Sequence, residues 1–194
     1  MTTIETNTIP GPTTIPSYLA GTWVIDPDHS EIGFAVRHLM VSKVRGRFTK
    51  FHGQLVTGAD PLHSSVQATV ALSSIDTGNA DRDAHVQSPD FFDVEQYPEL
   101  SYRSTGIRQH RDGFVVDGEL SLHGVIKSVP LTLEVNGFQA DTPFGDTRVG
   151  FSATTEINRD DFGITFNAAL ESGGVLLASK IQVTLEIEAI LQEG

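Results

Sequence analysis

Residues 31–40 read EIGFAVRHLM, and the order of those ten residues decides the fold class. Ile32, Phe34, Val36, His38 and Met40 fall on one side of an extended chain, and Glu31, Gly33, Ala35 and Arg37 on the other, because successive side chains of a β-strand point to opposite faces. One face is apolar and carries a histidine; the other suits water. A helix would scatter the same residues around its circumference, so this period of two predicts a half-buried strand.

The same period recurs further along the chain. Val66, Ala68, Val70 and Leu72 follow it, as do Leu131, Leu133 and Val135, then Phe151, Ala153, Thr155 and Ile157, and finally Ile181, Val183, Leu185, Ile187 and Ala189. Turn residues separate the runs: Asp112-Gly113 is a hairpin signal and Asn136-Gly137 marks the end of another strand. The exception is NADRDAHVQSPDFFDVEQYP, residues 79–98. There Asn79 can cap a short helix with Asp81 and Asp83 in its first turn, Ser88-Pro89 can start another, and Pro98 ends the excursion. Many amphipathic strands with one helical insert must stack as two sheets or close on themselves, and closure removes exposed edges. The chain is therefore expected to be all-β, an extended antiparallel barrel of about eight strands with a short helical insert or lid around 79–98. A barrel of that size is either filled by side chains or holds one ligand, and periodicity leaves both open.

The 194 residues fit one domain, with 39% hydrophobic and 20% charged residues, enough to bury a core. Residues 1–20 are rich in Thr and Pro and read as a flexible N-terminal arm, leaving 21–194 as the barrel domain. The opening MTTIETNTIPGPTTIPSYLAG has neither a basic n-region nor an apolar h-region, so a cytoplasmic location is expected. No window reaches the roughly 18 apolar residues needed for a membrane span. A net charge of −12 repels phosphate backbones and argues against a nucleic-acid partner. Without cysteine there are no disulfides, thiolate metal sites or Cys nucleophiles.

The sequence contains no G-x-S-x-G, S-x-x-K, G-x-G-x-x-G, Walker loop or H-E-x-x-H motif. The seven histidines are scattered without close ligand spacing, although strands could bring His29 and His38 together. No catalytic residue, metal or cofactor is assigned. From Arg37 to Lys50 the chain carries Lys43, Arg45 and Arg47 as well and no acidic residue, a local reversal of the global charge that could attract an anionic head group or membrane surface. Lys43, Arg45 and Arg47 alternate with Val44, Gly46 and Phe48, however, which reads as the solvated face of a strand. Arg82, Asp83 and Arg159 with Asp160 or Asp161 are expected to form ion pairs tying the insert and a late hairpin to the barrel.

Taken in order, GTWVIDPDHSEIGFAVRHL, VRGRFTKFHG, SSIDTGNADRDAHVQSPDFFDVEQYP, GELSLHGVIKSVPL and INRDDFGI resemble the successive signature blocks of the YceI-like family, over about residues 21–190. The order, the spacing and the RD…SPDFFDVEQYP stretch carry that resemblance. It implies a lipocalin-like barrel with a helical lid and an elongated apolar cavity for a polyisoprenoid, such as a polyprenyl quinone or polyprenyl phosphate, and it suggests a homodimer. The expected cavity residues are Phe34, Val36, His38 and Met40 from the deciding strand, Ala68 and Val70, Ala153, the aromatic wall Phe91 and Phe92, and Tyr97 with its hydroxyl near the mouth. The leading expectation is non-enzymatic binding, storage or transport of an isoprenoid lipid. The rivals are an enzyme on a lipid-like substrate using His38 as acid or base, and a filled barrel serving as a stress-response or interaction module.

Overall fold

The computed structural model describes residues 14–193. Its strands are β1 (Gly21–Ile25), β2 (Glu31–His38), β3 (Ser42–Phe48), β4 (Phe51–Thr57), β5 (Ser65–Ala71) and β6 (Ile75–Asp76). After helix α1 (Ala80–Gln87) come β7 (Glu99–His110), β8 (Gly113–Leu122), β9 (Val125–Ser128), β10 (Leu131–Gln139), β11 (Arg148–Asn158) and β12 (Leu177–Leu191). A single proline explains one division. Pro27 follows Asp26, whose carboxylate accepts the Asp28 N–H at 3.0 Å, and this one-turn cap interrupts β1 before the same strand resumes as β2. β4 pairs with β1 and β3 with β2, so the ribbon bends as a unit.

Counted by position, β1 with β2, β3 with β4 and β5 with β6 make three places, and β7, β8, β10, β11 and β12 make five more, giving an eight-strand antiparallel barrel. β12 closes it. Along one edge it pairs with β11 from Lys180 to Ile190; along the other, Leu177–Glu186 pair with β2 and Ala189–Leu191 with β1. Among the described residues no long unpaired edge is left to recruit another strand. Phe34 stands opposite Gly46, where an added Cβ would collide with its ring. That close approach lets a bulky aromatic lie flat against the wall.

Two packed groups occupy the two ends. At one end Trp23 is fully buried, donates its indole N–H to Thr57 Oγ1 at 2.8 Å, and meets Phe138 edge-on with ring centroids 5.5 Å apart. At the other, Leu72, Phe91, Leu122 and Phe162 form the floor beneath α1. Of the expected flexible arm, residues 1–13 lie outside the described residues. Residues 14–20 rest against the Trp23 end: Tyr18 donates to the Gly58 carbonyl at 2.7 Å and Thr57 to that of Leu19 at 2.8 Å.

Several local expectations need correction. Asn136-Gly137 does not end a strand; it sits inside β10 as a bulge, with Gly137 at φ 150° and Asn136 donating to Ser152 Oγ at 2.9 Å. The dipeptide that favours a turn also suits an extra residue in a strand. Asn79 does cap α1, accepting the Arg82 N–H at 2.9 Å, but Ser88-Pro89 begins no second helix. Residues 88–97 are successive turns, with the Phe91 and Asp93 N–H groups both bonded to the Ser88 carbonyl. The expected ion pairs are also absent among the described residues: Arg82 and Asp83 both bond Thr77, and Arg159 bonds backbone carbonyls.

Candidate functional site

Alternation places one face of every long strand inside the barrel, and the barrel is hollow. A continuous cavity of about 460 Å³ runs through it, within the range of sites that enclose a small molecule. A filled barrel is thereby excluded. β2 supplies Phe34, Val36 and His38, β5 supplies Ala68 and Val70, and β11 supplies Ala153. The turns after α1 add Phe91 and Phe92, with Phe92 reaching Phe48 at 6.1 Å between ring centroids. Eight of the ten expected residues therefore line one continuous space.

Met40 and Tyr97 do not. β2 ends at His38, and Leu39 and Met40 both take left-handed backbone angles, which swings Met40 out to 50% exposure. Tyr97 lies on the outside of the insert, its ring 4.8 Å from that of His123 and packed over Gly124, whose lack of a side chain makes room for it. His29 and His38 also stay apart, at opposite ends of an eight-residue strand, a separation of roughly 30 Å by strand rise.

Polar groups inside the cavity are few and mostly occupied. Tyr102 projects inward from β7 and donates to the Val129 carbonyl at 2.8 Å, and burial, helped by Asp117, holds its phenol well above the ordinary value. Arg159 follows β11 and is 5% exposed, with no carboxylate within ion-pair distance among the described residues. Its guanidinium donates to the carbonyls of Ile164 at 2.9 Å, Phe166 at 2.8 Å, Ala178 at 3.1 Å and Leu177 at 3.4 Å, while burial depresses its pKa. His85 of α1 sits between Phe91 and Phe166, edge-on to both, and bonds Asp90 at 2.8 Å. No Asp or Glu among the described residues lines the cavity. The His38 ring therefore lacks the carboxylate that would orient it as a general acid or base. Tyr102 and His85 escaped the sequence reading, although Tyr102 shares the inward period with Leu100.

A second polar cluster lies outside this space. Asp26, His29 and Glu188 bring ligand-type atoms within 4.8 Å of one another. Arg148 sits among them, 2.9 Å from Asp26, 2.8 Å from Asp146 and in contact with Glu188, so the group is an ion-pair network. Burial raises the Asp26 carboxyl, but hydrogen bonds from His29, the Asp28 N–H and Arg148 outweigh it and leave the pKa below normal. Arg148, then Thr142, lower Asp146 likewise. His29 is raised, first by its hydrogen bond to Asp26. Both carboxylates thus stabilise the fold above their unfolded pKa values and lose that contribution in acid, whereas His29 contributes fully below its unfolded value and loses it as pH climbs through its raised one. Replacing His29 with Asn should therefore lower Tm more at about pH 5 than at about pH 9. Equal losses at both pH values would remove His29 from the network.

Eight antiparallel strands closed around an apolar hollow and covered at one end by a short helical insert define a lipocalin-like barrel. The chain belongs to the YceI-like domain family, whose profile matches residues 23–189. A UPF0312 protein of Staphylococcus epidermidis is 37% identical over 164 residues, covering 84% of this chain and 94% of that protein. Among solved structures, Burkholderia cenocepacia BcnA superposes with a TM-score of 0.74 at 21% identity, over 84% of this chain and 98% of its own. A polyisoprenoid binding domain from Saccharophagus degradans, implicated in plant cell wall breakdown, superposes with a TM-score of 0.65 at 15% identity, over 90% and 100%. No helix among the described residues is long and apolar enough to cross a membrane.

Proposed function

We propose that the barrel binds a long apolar lipid of the isoprenoid type and holds or carries it without chemical change. One observation carries this reading: a continuous cavity lined by aliphatic and aromatic side chains, with no carboxylate among the described lining residues. Each methylene-sized group buried there contributes about 0.8 kcal/mol, so a prenyl chain can offset its immobilisation without strong head-group contacts. Branched Val36, Val70 and Ile157 and the rings of Phe34, Phe91 and Phe92 suit a methyl-studded chain. The Saccharophagus polyisoprenoid binding domain points to the same ligand class, and the absence of a carboxylate beside His38 among the described residues favours binding over turnover.

Organic extraction of the natively purified protein, followed by mass spectrometry, tests the proposal. A prenyl lipid near one equivalent is the expected result. An empty extract that stays empty after incubation with polyprenyl quinones and polyprenyl phosphates of several lengths would overturn it.

A further inference from the structure

The hairpin between β2 and β3 has an unusual tip. Tight hairpin turns favour Asn, Asp and Gly, but here Leu39, Met40 and Val41 occupy the turn, 40%, 50% and 81% exposed, with Leu39 and Met40 in left-handed backbone that costs bulky residues free energy. The neighbouring loop extends this apolar rim. The Leu39 N–H bonds the Leu176 carbonyl at 2.9 Å, Gly174 lies against Met40, and Val175 is 38% exposed.

Behind the tip the surface is basic. Between Glu31 and Asp60 there is no acidic residue, in a chain whose net charge is −12. Arg37 and Lys43 are register partners on the outward face of β2 and β3, and Arg45 follows along the same face. All three are exposed, and none makes an ion pair among the described residues. Arg47 reaches Asp76 at 3.4 Å, and Glu171 in the adjoining loop is an exposed carboxylate on this side. The inward faces of the same two strands line the cavity through Val36, His38 and Val44, with Leu176 beside them.

We propose that this tip docks on an anionic lipid bilayer. Leu39, Met40, Val41 and Val175 enter the interfacial layer, Arg37, Lys43 and Arg45 meet the head groups, and the adjoining end of the cavity is set against the membrane from which an apolar cargo is drawn. Charge selects this partner: an acidic protein is repelled by an anionic surface except where a local basic face turns toward it. Each basic side chain near such a surface strengthens partitioning roughly fivefold, so three give about a hundredfold, and salt screens the effect. The docking geometry stands on the tip itself; only its purpose rests on the lipid-binding reading above.

Co-sedimentation with vesicles of phosphatidylglycerol and phosphatidylcholine tests the proposal. The wild type should bind anionic vesicles at low salt, weakly at roughly 0.5 M salt, and poorly to phosphatidylcholine alone. The exposed double variant Lys43→Glu/Arg45→Glu and the triple variant Leu39→Ser/Met40→Ser/Val41→Ser should each lose at least tenfold, with far-UV circular dichroism unchanged. Both should still load a polyprenyl quinone from detergent as the wild type does. Failure of the wild type to bind anionic vesicles, or equal binding by both folded variants, overturns the docking whatever the loading result. A wild type that binds vesicles but never loads lipid leaves the docking standing and removes the cargo. If the tip variants change the light-scattering mass but not vesicle binding, the tip is a contact between two copies of this chain and the proposal fails.

Discussion

Ala153→Trp is expected to abolish most lipid binding while leaving the barrel folded. Ala153 lies on β11 between its register partners Leu133 and Leu185, is 5% exposed, and presents its methyl group to the cavity. An indole at this position projects into space that a prenyl chain would otherwise fill. If it displaces a single five-carbon isoprene unit, the lost burial is about 4 kcal/mol at about 0.8 kcal/mol per carbon, nearly a thousandfold in Kd. Overpacking in a filled core costs about 1–3 kcal/mol of stability. Here the cavity of about 460 Å³ can accept the ring, so Tm should fall by only a few degrees. Titration with a fluorescent polyprenyl analogue, with circular dichroism as the folding control, measures both effects. A folded Ala153→Trp protein that binds like the wild type would show that the ligand does not occupy this cavity.

Strand faces are the part of this protein that its sequence displays openly. Phe34, Val36, Ala68, Val70 and Ala153 point inward because side-chain direction in a strand follows from a period of two, whatever the rest of the chain does. The same rule says nothing about where a strand stops. Met40 keeps the period but leaves the cavity, because two left-handed residues without Gly, Asn or Pro end β2 at His38. Tyr97 is placed by the distant Gly124, and Arg148 draws together Asp26 and Glu188, 122 and 40 positions away. Such contacts depend on closure of the barrel, which no local window contains. Arg159 fails differently: its neighbours Asp160 and Asp161 suggest an ion pair, but its partners are backbone carbonyls, which every residue has and no sequence advertises.

Arg159→Ala is expected to lower Tm by roughly 10 °C. Leaving a buried carbonyl without its donor costs about 1–3 kcal/mol, so losing several together costs a few kcal/mol, and in a domain of this size each kcal/mol moves Tm by about 2–4 °C. The guanidinium ties the turn after β11 to the start of β12 through the carbonyls of Ile164, Phe166, Leu177 and Ala178. Arg159→Met separates two explanations of that loss. If the buried charge were simply a burden, a hydrophobe of similar length would be neutral or stabilising. If the arginine serves to satisfy four carbonyls, methionine leaves them without donors and most of the loss remains. The second outcome is expected, because among the described residues Arg159 meets no carboxylate and its hydrogen bonds all go to the main chain. Arg108→Ala, removing an exposed pair with Asp117 at 3.0 Å, should change stability by less than about 1 kcal/mol and serves as the control. A Met variant as stable as the wild type would refute the carbonyl account. Ile164, Phe166 and Leu177 also line the cavity, so loosening this turn should speed release of a bound lipid even where the variant remains folded, an effect visible in stopped-flow dissociation.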